Sequence, residues 1–345
     1  MAAKPAFDPQ LIISHEFPQS TYTYTERDAA LYALGIGACS KDAVDDKELK
    51  YVYHEDGQQS IEVLPTFAAL FSNGLMSSLA EIQGFEFDPR LLLHGQQHIE
   101  IYKPLPSNGC VRLLITLVLD CPPSAYSFIV FSASLTCSVF ISTLLMQLVN
   151  KASVAGLHDK GKAAVIEIEI LSYEKESGVL LCMNRSAVYL RGAGGFSQSS
   201  QPYSYTKYPS NQTVAYKIPK SQPFSVVEEC TQPAQALLYR LSGDYNPLHS
   251  DPMIAETAGF SRPILHGLCT LGFAVRAIIK NICRGDQNMI KNISGRFLLH
   301  VYPGETLITE MWLDGLRVLY QVKVKERNRA VLSGVVTLNR LSSSL

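Results

Sequence analysis

Several things are scarce in this chain, and each scarcity excludes a class of protein. Eight cysteines are scattered (Cys39, Cys110, Cys121, Cys137, Cys182, Cys230, Cys269, Cys283), and no two form a C-x-x-C pair. Dispersed thiols in a chain of 345 residues point to a reducing intracellular compartment, against a disulfide framework or a zinc ligand set. An excess of either charge is also missing. Thirty basic residues stand against 31 acidic ones, for a formal charge of -1, so neither nucleic acid nor an anionic membrane is the expected main partner. The first residues, Met1-Ala-Ala-Lys-Pro-Ala-Phe-Asp8, contain no apolar leader core, which argues against secretion.

Charge disappears altogether from Cys121 to Asn150, and Ala125 to Leu148 is dense in Phe, Ile, Val, Leu, Ser and Thr. This reaches the length and hydrophobicity of a spanning helix, yet Ile99-Glu-Ile-Tyr-Lys-Pro before it and Ala163 to Ile170 after it read as strands of a soluble domain. A membrane segment, a buried insertion and a stretch foreign to the fold are the three readings. The third is favoured, so a membrane partner is expected only if the 121–150 block is a genuine part of the protein.

What is present is a chain that is 47% hydrophobic, enough for a sizeable core in about two domains. In the second half, a short helix is predicted over Pro233 to Arg240, with Leu237, Leu238 and Leu241 on its apolar side. Asp251 caps another that has Pro252 at its first position and ends at Gly259. Leu268 to Ile282 is apolar nearly all round and predicts a buried central helix. Strands are predicted over Ile290 to Val301, Thr306 to Leu313, Leu316 to Lys325 and Ala330 to Leu338, with Pro303-Gly304 as the first turn. A helix followed by an antiparallel meander is an α+β layout, the sheet wrapped on the helix.

The first half repeats this order weakly. Tyr24 to Ala38 parallels the helix and loop that end at Asp244, Pro65 to Leu79 parallels the central helix, and His94 to Pro104 parallels Ser294 to Pro303. Gly37 stands where Asp244 stands in the second half. The expected domains are 1–194, carrying an atypical apolar insertion at about 109–147, and 223–345, with a polar linker at 195–222. Gly192-Ala-Gly-Gly195 is followed by no Lys-Ser/Thr and opens no helix, so it is not read as a phosphate loop.

Chemistry concentrates in Leu241-Ser-Gly-Asp-Tyr-Asn-Pro-Leu-His249, followed by Pro263-Ile-Leu-His-Gly267. Ordering a carboxylate, a carboxamide and an imidazole between two hydrophobic helices is costly unless chemistry uses them. Asp244 and His249 lie five residues apart across a proline turn and can bracket one water as base and acid, with Asn246 orienting it. The Gly267 N–H, at the start of the central helix, suits a developing oxyanion. The set fits proton chemistry beside a carbonyl that becomes enolate-like, with no metal and no cofactor. Asp and Asn are also ordinary turn residues, and a lone histidine is more often structural than catalytic.

The run Tyr239-Arg-Leu-Ser-Gly-Asp-Tyr-Asn-Pro-Leu-His-Ser-Asp-Pro, with Gly259-Phe and Pro263-Ile-Leu-His-Gly-Leu-Cys-Thr-Leu-Gly, strongly resembles the enoyl-CoA hydratase 2 family, the MaoC-like (R)-specific hydratases. The resemblance extends over nearly the whole chain, to Tyr22-Thr-Tyr-Thr-Glu-Arg-Asp and Leu93-His-Gly-Gln-Gln, and is greatest toward the plant monofunctional peroxisomal branch. It implies a double hot-dog fold and reversible hydration of trans-2-enoyl-CoA to (3R)-3-hydroxyacyl-CoA in peroxisomal β-oxidation. It also implies catalytic roles for Asp244, His249, Asn246 and Gly267, and substrate contacts at His94, Gly95, Lys160 and Phe297. In this family the first domain holds the acyl chain. Acyl-CoA, a peroxisomal import receptor reading Ser343-Ser344-Leu345, and a second copy of the chain are the implied partners. The insertion at 109–147 departs from the family, and its composition resembles a translated T-rich non-coding stretch. A hot-dog thioesterase and a non-catalytic acyl-CoA-binding protein are the rival readings.

Overall fold

The computed structural model describes residues 9–72, 74, 78–79, 82, 85, 87–88, 92–108, 145–197, 204–206 and 216–341. Most of the apolar block (109–144) and the terminal Ser343-Ser344-Leu345 therefore lie outside the described residues.

The strands are β1 (Ser20–Tyr24), β2 (Leu92–Ile101), β3 (Met146–Asp159), β4 (Ala163–Glu174), β5 (Leu180–Arg191), β6 (Ser204–Thr206), β7 (Ser225–Cys230), β8 (Ile290–Phe297), β9 (Thr306–Asp314), β10 (Arg317–Val324) and β11 (Arg329–Leu338). They form one sheet in the order β1-β3-β4-β5-β2-β8-β11-β10-β9-β7, with β6 paired to β3. Read outward from its middle, the sheet runs β2-β5-β4-β3-β1 on one side and β8-β11-β10-β9-β7 on the other. The same connection order thus occurs twice, which makes the sheet an internal repeat. Antiparallel pairing of β2 with β8, from Gln96↔Arg296 to Glu100↔Asn292, joins the halves.

The helices are α1 (Pro9–Ile13), α2 (Glu26–Gly35), α3 (Asp46–Leu49), α4 (Gln235–Arg240), α5 (Pro252–Thr257) and α6 (Gly267–Asn281). As its all-round apolar pattern predicts, α6 is buried from Leu268 to Ile279. In the first half, the Pro65–Ser72 part of the helix expected over Pro65 to Leu79 is a 3-10 segment, and residues 73 and 75–77 lie outside the described residues. The carbonyls of that segment are held by buried amides of the sheet: Asn184 Nδ2 donates to Ala68 O at 2.8 Å and Asn150 Nδ2 to Phe71 O at 3.0 Å.

Three further expectations need correction. Helix α4 starts at Gln235, two residues after Pro233, and buries Gln235, Ala236 and Tyr239, while Leu237 and Leu241 are about half exposed. The reason is packing. The Gln235 amide donates to Gly35 O at 2.6 Å, and the Tyr32 and Tyr239 rings lie 6.0 Å apart, so α4 turns its polar and aromatic side toward α2. The insertion does not extend to Gln147, because Met146 and Gln147 open β3 in register with Tyr24 and Thr23 of β1. The strand expected over Ile290 to Val301 ends at Phe297. Among the described residues no helix is long and apolar enough to cross a membrane.

The Gly192–Gly195 stretch is fastened to the β3–β4 turn. Asp159 accepts N–H bonds from Gly161 (2.8 Å), Gly195 (3.0 Å) and Ser197 (2.8 Å). A Cβ on Gly194 would lie 2.4 Å from Ala163 O, so these glycines serve a close backbone approach.

One buried charge cluster links the halves. Arg276 of α6, 2% exposed, pairs with Glu48 of α3 and with Glu229 of β7 at 2.6 Å, and donates Nε–H to Ile36 O at 3.0 Å. Burial alone would pull the guanidinium pKa down; Glu229 and Glu48 more than reverse this. Removing one partner of such a cluster leaves uncompensated buried charge. Arg276→Met is expected to lower stability by about 3–5 kcal/mol, read as a reduced urea midpoint; a midpoint equal to wild type would contradict a linking role.

Candidate active site

The segment after α4 is organised by its own polar side chains. Gly243 adopts φ +109°, a left-handed value open to glycine. Asp244 Oδ1 then accepts from Asn246 N at 3.3 Å, and Asn246 Oδ1 from Leu248 N at 3.0 Å. Two successive Asx turns thus lead into a 3-10 turn, Pro247–His249. The bland reading of Asp and Asn as turn residues is correct for one oxygen of each. The second Asp244 oxygen and the Asn246 amide nitrogen are left for other work. Asp251 caps α5, accepting from Met253 N at 2.8 Å, and so fixes the exit of the loop.

His249 Nδ1 lies 2.8 Å from Ile264 O. A carbonyl only accepts, so Nδ1 carries the proton and Nε2 is the lone-pair nitrogen of the neutral ring. The adjacent His266, 1% exposed, places Nε2 3.2 Å from Asp244 O and 3.9 Å from Asp244 Oδ2. The same rule makes His266 Nε2 a donor to the Asp244 carbonyl. The rings of His249 and His266 stack, with centroids 3.7 Å apart and planes inclined by 27°. Asp244, His249 and His266 bring one polar atom each within 4.8 Å of one another.

That trio has the composition of a metal site, but its geometry fits an ion poorly. Ring lone pairs lie in the ring planes, and two stacked imidazoles cannot aim them at one point. His249 Nδ1 and His266 Nε2 are moreover committed to carbonyls. The set is better suited to holding a water or a proton than a cation.

Gly267 is the first residue of α6, where backbone N–H groups have no intrahelical acceptor. A Cβ there would lie 3.0 Å from the Phe297 ring, so any larger residue requires the ring to give way by a few tenths of an ångström. Across the β2–β8 seam, the His94 ring meets Phe297 edge-on at 5.0 Å, and its Nε2 donates to Gln96 O at 3.0 Å. Gly95 is the extra residue of a β-bulge between His94 and Gln96, which re-aims His94. Burial lowers the His94 pKa, opposed by Gln96 O and by the charge of Asp244.

The sequence-derived residues therefore fall into two groups. Asp244, His249, Gly267, Phe297, His94 and Gly95 converge around the start of α6, and Asn246, exposed, borders them. Lys160 does not join them. It is exposed on the β3–β4 turn. Asp159 beside it is level with Ala164, Leu190 and then Leu92 across the sheet, three strand spacings or about 14 Å from the head of β2. His266 received no role in the sequence reading. Its signal was a histidine directly before the glycine that opens a buried helix. Two cavities, about 490 Å³ beside Gln59 and Asn108 and about 120 Å³ beside His98 and Arg185, are not lined by Asp244 or His249.

Burial lowers the His249 pKa below its usual 6.5, against the raising effects of Ile264 O and Asp244. The imidazole therefore stays neutral to lower pH than a free histidine. In an NMR titration the His249 ring is expected to protonate below 6.5; a midpoint at or above that value would contradict this electrostatic picture.

Comparison with known proteins agrees with this arrangement. Residues 212–335 match the family model "MaoC like domain", and residues 22–121 and 143–192 match "MFE-2 hydratase 2 N-terminal domain". The break between 121 and 143 falls in the apolar block. The chain is 59% identical over 339 residues to "Enoyl-CoA hydratase 2, peroxisomal" of Arabidopsis thaliana, covering 98% of each. The crystal structure of a MaoC-like dehydratase from Phytophthora capsici superposes with a TM-score of 0.74 at 30% identity, covering 97% of this chain and 100% of that one. A Mycobacterium tuberculosis protein described as a double hot-dog fold shares the fold alone, with a TM-score of 0.51 at 12% identity over 92% of this chain and 93% of that one. With a repeated antiparallel sheet around α6 and both of its halves matched, the chain belongs to the MaoC-like hydratase 2 family, in the double hot-dog fold.

Proposed function

We propose that the chain is a hydro-lyase, adding water reversibly to trans-2-enoyl-CoA to give (3R)-3-hydroxyacyl-CoA in peroxisomal fatty-acid β-oxidation. The observation that carries this reading is the approach of the Asp244 carboxylate and the His249 ring, polar atoms within 4.8 Å, beside the amino end of α6. A neutral His249 accepts a proton from water while Asp244 accepts the second O–H, with the Asn246 amide as a donor to the water oxygen. Hydroxide adds to C3 and the electron pair of the double bond shifts toward the thioester oxygen. The Gly267 N–H and the helix dipole stabilise that oxygen. The His249 imidazolium then gives its proton to C2, which completes the addition and returns the ring to its neutral form, with no net change in the enzyme. No step in this scheme calls for a metal or redox cofactor.

His94, Gly95 and Phe297 are assigned to the rim against the thioester and acyl chain, and Lys160, at its greater distance, to the phosphate end of CoA. Residues 1–194 form the acyl-binding unit, 195–222 the linker and 223–345 the catalytic unit. The Arabidopsis relative is named peroxisomal. An import receptor reading Ser343-Ser344-Leu345 and a homodimer belong to the same proposal.

Asp244→Ala and His249→Ala are each expected to lower kcat by about 10²–10⁴-fold with the fold retained, followed as loss of the enoyl thioester absorbance. Gly267→Ala is expected to displace Phe297 and lower kcat by about 10–10³-fold. Wild-type rates in both alanine variants of the pair would exclude the mechanism. Release of free thiol from saturated acyl-CoA would point to a thioesterase instead.

A further inference from the structure

We infer that His266 is a positioning residue of the hydration reaction: its Nε2–H holds the Asp244 main chain, and its ring face supports the His249 imidazolium that forms when water is deprotonated. The inference deepens the hydratase reading and rests on it.

Three observations carry it. His266 is buried between two rings, His249 at 3.7 Å and Tyr239 at 4.8 Å. A histidine that only fills a core has its polar atoms satisfied, whereas His266 Nδ1 has no partner among the described residues and Nε2 alone is anchored, to the residue that carries the reactive carboxylate. Burial, and secondarily His249, depress the His266 pKa to about 2, so this ring stays neutral at any working pH and its N–H never stops donating to Asp244 O.

The stacked geometry adds a contribution specific to the transition state. In the resting site His249 is neutral, and two neutral rings at 3.7 Å gain little beyond packing. As His249 takes the proton from water it becomes a cation over a neutral aromatic face, an arrangement that attracts electrostatically. An interaction present only in the transition state raises kcat without tightening substrate binding. The other polar groups in its field are Asp244, which favours the imidazolium, the Arg240 guanidinium, which acts against a charge on His266, and the neutral Tyr239 and His94 beyond them.

Replacements at position 266 separate the two roles. His266→Phe keeps an aromatic face and loses the donor; His266→Gln keeps a donor and loses the face; His266→Leu loses both. The expected result with trans-2-decenoyl-CoA is a kcat about 10–100-fold lower for His266→Leu, KM within about threefold of wild type, and intermediate kcat for the other two. The acid limb of kcat/KM, set by His249, is expected to shift to lower pH in His266→Leu and to return toward wild type in His266→Phe. A purely structural role would not restore the limb with Phe. If His266→Leu does not fold, the contrast between His266→Phe and His266→Gln carries the test. Wild-type kcat in both, or an acid limb that is the same in both, overturns the inference. An inactive wild-type protein would instead refute the hydratase reading on which it rests.

Discussion

A buried helix has to do something with its first backbone N–H groups, and that constraint organises the functional half of this molecule. Helix α6 is enclosed from Leu268 to Ile279, but its first residue, Gly267, is exposed, and His266 at the N-cap makes no side-chain capping bond. The Gly267 N–H, in the first turn, has no intrahelical acceptor. Phe297 packs beside Gly267, its ring 3.0 Å from where a Cβ would stand. The 241–251 loop brings a carboxylate and an imidazole to the same point; the carboxylate accepts from the Asn246 N–H and the imidazole donates to the Ile264 carbonyl. A side-chain cap would take up these donors; without one they stay available to a ligand oxygen.

The repeat in the sheet explains how one half came to specialise. Both halves place five strands in the same outward order, and the pairing of β2 with β8 makes the site composite. His94 and Gly95 come from the first half, while Phe297, Gly267, Asp244 and His249 come from the second. In the first half the position matching Asp244 is Gly37, at φ +82°, packed against the Phe273 ring and Arg276 of α6. That loop became a buttress for the central helix. Buried amides of the sheet, Asn150 and Asn184, hold carbonyls of the 3-10 segment Pro65–Ser72.

Much of the second half was legible from the sequence because local chemistry and tertiary context agree there. Asp251-Pro252 caps a helix, Gly259 ends it at φ +87°, and the alternation from Val318 to Val324 matches a strand with one buried face. The convergence of Asp244 and His249 was legible for the same reason, since a proline turn of that length brings them together. The misreadings come from long-range packing. Leu237 and Leu241 looked like the core side of α4, but hydrogen bonding of Gln235 to Gly35, in the other half of the chain, rotates the helix. The apolar run hid the start of β3, because periodicity cannot separate Met146 and Gln147 from the residues before them. His266 was overlooked because its importance lies in what it touches.

The account stands or falls on the addition itself. Incubation of the purified protein with trans-2-decenoyl-CoA in deuterated water, followed by mass and stereochemical analysis of the product, reads it most directly. The account predicts a 3-hydroxyacyl thioester of R configuration, one deuterium at C2 and no free thiol. Free thiol, an S product, or an unchanged substrate would contradict it.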